Sequence, residues 1–243
     1  IPFRPMDRNS SFRYTKNRMS TEKEIVAFWN RAFEEIEPFA IKPSDIATET
    51  DILSQEVFAL GEKAHRIIDV GCGLGECLIA LSVENGGKND LFGLDGASSA
   101  IAIAKKSAEL SKAKNILFQQ GSLETLQKMP SASFDGALSS NFLDVVPLPF
   151  GKACLKEIAR LLKPRGLFVL KINFYSDPST LKRPRFAMDS EGLYIDGMFR
   201  SSNQTTETWL SILSEDFILL RQEEYPRLGM NAPKDRLFVL ERK

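Results

Sequence analysis

Apolar residues recur at helical spacing near the amino end of the chain, at Ile25, Phe28, Trp29, Phe33 and Ile36. Positions three and four apart share one face of an α-helix, so this spacing predicts an amphipathic helix. Thr21 and Glu24 match the pattern of a capping box at its start. A second helix is predicted from Asp51 to Leu60, with Gly61 as its end.

After residue 65 the pattern changes to short apolar runs that alternate with helical segments. The predicted strands are RIIDV, DLFGLD, NILFQQG, FDGALSS and GLFVLKIN, and the predicted helices between them include ECLIALSVE, AIAIAKKSAELSK and FGKACLKEIARLLK. A further helix, TTETWLSILS, precedes two antiparallel strands, DFILLRQEEYP and DRLFVLERK. Such alternation predicts a doubly wound α/β fold with a mostly parallel sheet of seven strands and helices on both faces.

The domain organisation follows from the same pattern. Residues 1–18 are polar and aperiodic, so we expect an arm that is disordered or was added for expression, with Met19 as a natural start. Residues 19–243 are predicted to form one domain. Within it, 19–62 are a helical extension or lid, 65–172 the ligand-binding core, and 173–202 an insertion on the substrate side.

Composition narrows the class of protein. The net charge is zero and the isoelectric point is about 6.8, which argues against a broad nucleic-acid-binding surface. Three cysteines without a Cys-x-x-Cys pair indicate a reduced, cytoplasmic protein. A single histidine argues against a His-based metal site, so no metal is expected. No apolar run reaches the ~20 residues that a membrane-spanning helix needs.

The stretch IIDVGCGLGE carries the strongest chemical signal. It places Asp69, Gly71, Gly73 and Gly75 at alternate positions directly after a predicted buried strand. The dinucleotide pattern G-x-G-x-x-G would need glycine where Glu76 stands, and no P-loop lysine follows. A carboxylate beside such a loop repels a diphosphate and suits a ligand that carries positive charge.

On these residues the chain resembles the class I S-adenosylmethionine-dependent methyltransferases, because DVGCGLG matches the first motif of that family. The resemblance implies a Rossmann-like fold and S-adenosylmethionine as the cofactor. It also implies that Asp69 holds the ammonium group of the cofactor, directly or through water, and that Gly71, Cys72 and Gly73 pass close to the cofactor.

Three further motifs follow in the order of that family. The resemblance assigns Asp95, with the adjacent Gly96, to the ribose hydroxyls, since a carboxylate can accept two hydrogen bonds from a diol. It assigns Ser122 and Leu123 to the adenine. Ser122 departs from the family, which often has aspartate here, and implies a weaker contact. The turn LLKPRG resembles the usual entry to strand five, so the resemblance extends over about residues 65–172.

The segment SSNFLDVVP after strand four is expected to line the reaction centre. The resemblance implies that Ser140 and Asn141 contact the cofactor. Asp144 is the candidate for a catalytic base or substrate anchor, with helix capping or simple solvation as the alternative. The segment lacks the Asn/Asp-Pro-Pro-Tyr tetrapeptide of enzymes that methylate nucleobase or glutamine amino groups, which disfavours those substrates.

The insertion 173–202 is the longest stretch without helical periodicity. Long loops at the carboxyl edge of a sheet often carry specificity, so a flat aromatic or acidic acceptor would suit its side chains. The alternative is a solvated lid or an extra hairpin. The candidate contacts are Tyr175, Arg183, Arg185, Tyr194 and Arg200.

The resemblance therefore implies a methyltransferase that acts on a small molecule by in-line displacement. Two alternatives stay open. One is a methyltransferase for RNA or protein, which would need a basic face beside the pocket. The other is a regulatory subunit that binds S-adenosylmethionine without catalysis, since no short catalytic signature is present. A nicotinamide dehydrogenase is disfavoured by Glu76. The sequence does not indicate the oligomeric state or the acceptor atom.

Overall fold

A computed structural model describes residues 21–47, 51–180, 186–190, 192–226 and 234–243. The predicted arm 1–18 and two of the candidate contacts, Arg183 and Arg185, lie outside this range. The amino-terminal extension contains helices α1 (Glu22–Glu34), α2 (Pro43–Ala47) and α3 (Ile52–Lys63).

Helix α1 begins as its sequence predicts. The amide of Glu24 donates to Thr21 Oγ1 over 3.4 Å, and the amide of Thr21 donates to Glu24 Oε2 over 3.0 Å. These two bonds satisfy backbone donors that the first turn of a helix leaves without a partner. The capping box at the start of α1 is therefore confirmed.

Helix α3 does not end at Gly61, so that prediction was wrong. The helix continues to Lys63, and Asp51 caps its start by accepting from the amide of Ser54 over 3.3 Å. The side-chain amide of the buried Asn89 donates to the carbonyls of Gly61 and Ala64, over 2.8 Å and 2.7 Å, and so satisfies the end of the helix. Glycine is needed at 61 because an added Cβ would lie 2.4 Å from Cδ1 of Leu81.

The core alternates strands and helices as predicted, and it contains one short helix between the third and fourth strands that was not predicted. In chain order its elements are β1 (Arg66–Val70), α4 (Glu76–Asn85), β2 (Asp90–Asp95), α5 (Ser98–Leu110), β3 (Ile116–Gln120), α6 (Leu123–Lys128), β4 (Phe134–Ser140), α7 (Leu148–Leu161) and β5 (Leu162–Ile172). The carboxyl-terminal part contains a 3-10 turn (Pro178–Thr180), β6 (Phe186–Met188), β7 (Leu193–Ile195), β8 (Met198–Ser201), α8 (Thr206–Leu213), β9 (Phe217–Pro226) and β10 (Lys234–Arg242).

Seven strands form one sheet in the order β3-β2-β1-β4-β5-β10-β9. Strand β1 pairs in parallel with both β2 and β4, whereas β10 runs antiparallel to β5 and β9. The predicted fold class is confirmed, including the reversed last strand. The order of the strands changes direction between β1 and β4, and ligands of such sheets bind at the carboxyl ends of the strands beside this point.

Two apolar layers cover the sheet. Ile68 belongs to the layer beneath α6, α7 and α8, while its neighbour Ile67 belongs to the layer beneath α3, α4 and α5. Both side chains are fully buried. The continuous apolar run of β1 follows from this arrangement, because a central parallel strand has no face exposed to water.

The predicted insertion contains a second, three-stranded sheet in the order β6-β7-β8. Tyr194 on β7 is fully buried and Phe199 on β8 is 3% exposed. They pack with Ile25 of α1 and Val146 of the segment after β4. This part of the insertion is therefore a hairpin packed against the domain.

No helix in the ranges given above combines the length and the apolar character that a membrane crossing requires. The cytoplasmic location stays a prediction.

Candidate functional site

The glycine loop joins β1 to α4 at the point where the strand order changes direction. Its three glycines have positive φ angles of 78° at Gly71, 51° at Gly73 and 78° at Gly75, a region in which residues with a Cβ are strained. The amides of Gly71 and Cys72 both donate to the carbonyl of Leu94, over 2.8 Å and 3.0 Å. The loop is thus fastened to the end of β2.

The three glycines have different surroundings. A Cβ at Gly71 would lie 2.2 Å from the ring of Phe142, and one at Gly75 would lie 2.5 Å from the ring of Phe118. At Gly73 the nearest atom would be Cζ of Phe33, at 4.0 Å. The packing of the protein therefore requires glycine at 71 and 75, whereas Gly73 presents bare backbone to open space. A ligand can approach closely at Gly73.

Asp69 is buried at the end of β1, with 3% of its surface exposed. Its Oδ1 accepts no hydrogen bond from the part of the chain that the structure describes. Burial raises the pKa of Asp69 well above its usual range, and the nearby negative charge of Asp95 raises it further. A buried carboxyl group with an unsatisfied oxygen and a negative neighbour favours a cationic partner.

Asp95 ends β2 and holds the glycine loop from the other side. Its Oδ2 accepts from the amide of Gly73 over 2.9 Å, and its Oδ1 accepts from the amide of Ala97 over 2.8 Å. Burial raises the pKa of Asp95, and these backbone hydrogen bonds act in the opposite direction. A Cβ at Gly96 would approach Cγ2 of Val26 to 3.0 Å, so glycine lets α1 pack closely against this turn.

A cleft of about 610 Å³ lies between α1 and the ends of β2 and β3. Val26, Asn30, Gly96, Gly121 and Ser122 line it. The structure thus brings Ser122 and Gly96 to one cleft on the same edge of the sheet as the glycine loop.

Ser122 also caps helix α6. Its amide donates to Thr125 Oγ1 over 3.3 Å, and its hydroxyl donates to the carboxylate of Glu124. Leu123 is half-buried and packs against the apolar layer beneath α6 and α7. A hydroxyl engaged with Glu124 is a weaker partner for a ligand than a free carboxylate, which agrees with the departure noted in the sequence.

Ser140 and Asn141 lie where β4 ends, beside the glycine loop. Asn141 has a positive φ of 53°, which asparagine tolerates better than most residues. Its amide donates to the carbonyl of Lys171 over 2.9 Å, and its Oδ1 accepts from Lys171 Nζ over 2.6 Å. Lys171 is itself buried in an ion pair with Asp235, at 2.6 Å. The turn after β4 is therefore fixed by a charge on β5.

Asp144 is 1% exposed and joins both ends of the insertion. Its Oδ2 accepts from the amide and from Nδ2 of Asn173, over 3.0 Å and 2.8 Å. Its carbonyl accepts from the amide of Ser202 over 2.7 Å. Burial raises the pKa of Asp144, and the bonds from Asn173 and the charges of Lys171 and Arg236 oppose that rise. Oδ1 accepts no hydrogen bond within the described residues.

The side chains that complete this cluster were not among the predicted site residues. Arg236 of β10 donates from Nε and Nη2 to the carbonyl of Asn173, over 3.0 Å and 2.8 Å. A lysine and an arginine within otherwise apolar strand segments, GLFVLKIN and DRLFVLERK, were the available signals. Charged residues in buried strands occur where they are paired.

The fold places the other described acceptor contacts in different surroundings from one another. Tyr194 is enclosed between the hairpin and α1, so it is not available as a surface contact. Tyr175 is 41% exposed, and the guanidinium of Arg200 lies 4.2 Å above the ring of Phe28.

Comparison with known proteins places this site in a family. A family model described as "Methyltransferase domain" matches residues 61–191. A ubiquinone biosynthesis O-methyltransferase of Idiomarina loihiensis is 36% identical over 101 residues, which are 42% of this chain and 39% of that protein. The tRNA N(3)-methylcytidine methyltransferase of Schizosaccharomyces pombe is 26% identical over 191 residues, which are 76% of this chain and 60% of that protein. The chain thus spans less than two thirds of the length of these relatives.

Among solved structures, the PH0226 protein of Pyrococcus horikoshii superposes with a TM-score of 0.65 at 19% identity, over 84% of this chain and 94% of that one. At this level of identity the likeness supports the fold.

Proposed function

The chain belongs to the S-adenosylmethionine-dependent class I methyltransferases, and from this premise we propose that it methylates a small-molecule acceptor. Its cofactor is S-adenosylmethionine. The observation that supports this cofactor is the unsatisfied buried oxygen of Asp69. A buried carboxyl group with an unsatisfied oxygen at the glycine loop fits the ammonium group of a cationic ligand and disfavours a diphosphate.

The remaining roles follow from the same edge of the sheet. Gly73 would let the backbone approach the cofactor, and Asp95 would accept hydrogen bonds from the ribose hydroxyls. The cleft beside Gly96 and Ser122 would receive the adenine, and the backbone of Leu123 follows directly after Ser122. Ser140, Asn141 and the backbone of Cys72 would complete the cofactor side. Burial raises the pKa of the Cys72 thiol well above its usual range, so the thiol stays protonated.

Bound S-adenosylmethionine supplies a methyl group that is already activated by the positive sulfonium. The protein therefore needs to align the acceptor and to exclude water. A general base is required only for an acceptor that must lose a proton. We propose that Asp144 is a structural anchor for the insertion, because its Oδ2 accepts two hydrogen bonds from Asn173 at the start of the insertion. The alternative is that Asp144 acts as a general base, and substitution of Asp144 tests this alternative.

Two observations favour a small molecule as the acceptor. The net charge of zero gives little electrostatic attraction for a polyanion. The hairpin β6-β8 packs against α1 and the segment after β4, on the side where we propose that the acceptor binds. The Idiomarina relative is named as a ubiquinone biosynthesis enzyme, which is consistent with this proposal.

A tRNA acceptor is the second candidate. The observation that favours it is the Schizosaccharomyces relative, whose alignment extends over 76% of this chain and therefore beyond the cofactor core. The two candidates differ in the size and charge of the acceptor, and one experiment separates them.

The test uses S-adenosylmethionine with a labelled methyl group, supplied in three parallel arms. The arms contain a set of phenol, quinol and amine compounds, total tRNA, and a mixed protein extract. Asp95→Ala serves as the control that loses cofactor binding. Cofactor affinity of the wild-type protein is measured separately by calorimetry, so that binding and transfer are read independently.

Label in the small-molecule arm, absent with Asp95→Ala, is the result expected. Label in tRNA alone would overturn the proposal in favour of the second candidate. Cofactor binding without transfer in any arm would favour a regulatory subunit.

A further inference from the structure

Phe33 and Phe142 border the glycine loop and Trp29 stacks on Phe33, and we name these three side chains together the aromatic wall. We propose that the aromatic wall is the acceptor subsite and that it selects a planar aromatic ring. This inference rests on the proposed function, because the aromatic wall would hold the ring of the acceptor beside the methyl group of the bound cofactor.

Helix α1 contributes two residues of the aromatic wall, Trp29 and Phe33. The rings of Trp29 and Phe33 are stacked, with centroids 5.6 Å apart and planes 25° from parallel. Phe28 meets Trp29 edge to face, at 5.3 Å and 77°. The rings of Phe28, Trp29 and Phe33 are each half-buried, so part of each ring surface stays accessible. One turn of the helix therefore presents aromatic surface in a fixed orientation.

The wall lies directly beside the glycines assigned to the cofactor. The position of a Cβ on Gly73 is 4.0 Å from Cζ of Phe33, and that on Gly71 is 2.2 Å from the ring of Phe142. Phe33 and Phe142 thus flank the two glycines from different elements, α1 and the segment after β4. A ligand that packs on these rings would lie next to the cofactor.

The wall is held in place from behind. Trp29 and Phe142 pack against the cluster of Ile25, Val146, Tyr194 and Phe199. The hairpin that carries the last two of these is fixed at both ends by Asp144, through Asn173 and Ser202. A subsite with such support is preorganised, which reduces the entropy lost when a ligand binds.

The chemistry of the wall indicates its ligand. Its three rings carry no charged group, and ring faces pair favourably with other aromatic rings in offset or edge-to-face geometry. A saturated ring of equal size gains the burial of apolar surface and lacks this pairing. Preference for a flat ring over its saturated counterpart is therefore the signature of the wall. The competing role is a cation–π contact with the sulfonium, which would affect the cofactor instead.

The experiment titrates protein saturated with S-adenosylhomocysteine with 2-naphthol and with decahydro-2-naphthol, by calorimetry. The variants are Trp29→Leu and Phe33→Leu. Phe58→Leu is the matched control, since Phe58 is half-buried on α3 and lines a separate cavity beside His65, at the amino end of β1. Affinity for S-adenosylhomocysteine is measured first for each protein.

We expect 2-naphthol to bind wild-type protein about fivefold more tightly than its saturated counterpart, and Trp29→Leu and Phe33→Leu to weaken it by about threefold to tenfold. Affinity for S-adenosylhomocysteine should stay within about twofold, and Phe58→Leu should change neither affinity. Equal binding of the two probes, or no binding of 2-naphthol, overturns the inference. So does an equal loss of affinity for S-adenosylmethionine in Phe33→Leu, measured by the same calorimetry, which would assign the wall to the cofactor, because S-adenosylmethionine carries the sulfonium that S-adenosylhomocysteine lacks. A wild-type protein that fails to bind S-adenosylhomocysteine contradicts the proposed function itself.

Discussion

Asp69 and Asp144 are two buried carboxylates on the same edge of the sheet, and their surroundings are opposite in charge. Each has one oxygen that accepts no hydrogen bond within the described residues, and burial raises the pKa of both. Asp69 faces the negative Asp95. Asp144 accepts two hydrogen bonds from Asn173 and lies near the positive Lys171 and Arg236.

The difference is the one expected between a ligand site and a structural anchor, the roles that we propose for Asp69 and Asp144. The charge of Asp144 is balanced inside the protein, so it can fix the insertion without a ligand. For Asp69, burial and a neighbour of the same sign both act against the charged form. Such a group is retained where a bound cation lowers the cost.

Removal of Asp95 should have the largest effect on ligand binding. Asp95→Ala removes the acceptor proposed for the ribose and the bonds to Gly73 and Ala97. We expect S-adenosylmethionine to bind about 100-fold more weakly, since two charge-assisted hydrogen bonds contribute about 3 kcal/mol. Calorimetry checks this, with Asp90→Ala at the exposed start of the same strand as the control. Unchanged affinity in Asp95→Ala would contradict the assignment.

Substitution of Asp144 should affect stability more than catalysis. Asp144→Asn removes one of the negative charges that act on Lys171 and Arg236, while the ion pair of Lys171 with Asp235 stays, so we expect a loss of about 1–3 kcal/mol in the free energy of unfolding. Denaturant unfolding measures it. If Asp144 is an anchor, turnover at saturating acceptor should stay within about threefold. A fall of about 100-fold or more, with loss of one limb of the pH profile, would instead identify a general base.

Gly71 and Gly73 allow packing to be separated from ligand access. Gly71→Ala places a Cβ against Phe142 and should cost about 2 kcal/mol more stability than Gly73→Ala, although both residues have positive φ. Gly73→Ala should carry only the backbone strain, about 1 kcal/mol. Thermal unfolding gives the two stabilities, and calorimetry should show cofactor binding weakened in the better-folded Gly73→Ala. Equal stabilities would mean that Phe142 moves aside at no cost.

Substitution of Asp69 should stabilise the protein without ligand. The raised pKa means that the native state holds a proton that the unfolded state releases, so wild-type stability falls as the pH rises from the unfolded pKa, about 3.9, to the higher native value. Asparagine does not ionise, so Asp69→Asn does not undergo this fall in stability as the pH rises. Its unfolding free energy should exceed that of wild type by about 1 kcal/mol near neutral pH, and the gain should vanish below about pH 4.

The parts of this account that the sequence could predict are local. The glycine loop, the acidic ends of β1 and β2 and the capping box depend on residues within a few positions of one another. The end of α3 was mispredicted because its cap, Asn89, lies 28 positions beyond Gly61 in the chain. Asp144 was predicted as a candidate, but its surroundings were not, because Arg236 and Asn173 are 63 positions apart in the chain. A pairing of this kind becomes visible only when β10 lies beside β5.

The aromatic wall shows the same limit. Trp29 and Phe33 share the apolar face that predicted α1, and the sequence therefore indicated packing for both. Phe142 was part of the segment expected to line the reaction centre. The packing of α1 against α5 and the insertion brings Trp29 and Phe33 to the glycine loop, from which α1 is separated by about forty residues of chain.

The central claim is that Asp69 binds the positive charge of the cofactor. The most direct test is calorimetric titration of S-adenosylmethionine into wild-type protein and Asp69→Asn between about pH 5 and pH 7, where the amino group of the cofactor stays protonated. Buffers of different ionisation enthalpy report the protons released. We predict that wild-type affinity rises with pH and that binding releases protons, because the cation lowers the pKa of Asp69, and that Asp69→Asn lacks that contribution. The same pH dependence and proton release in both proteins would contradict the account.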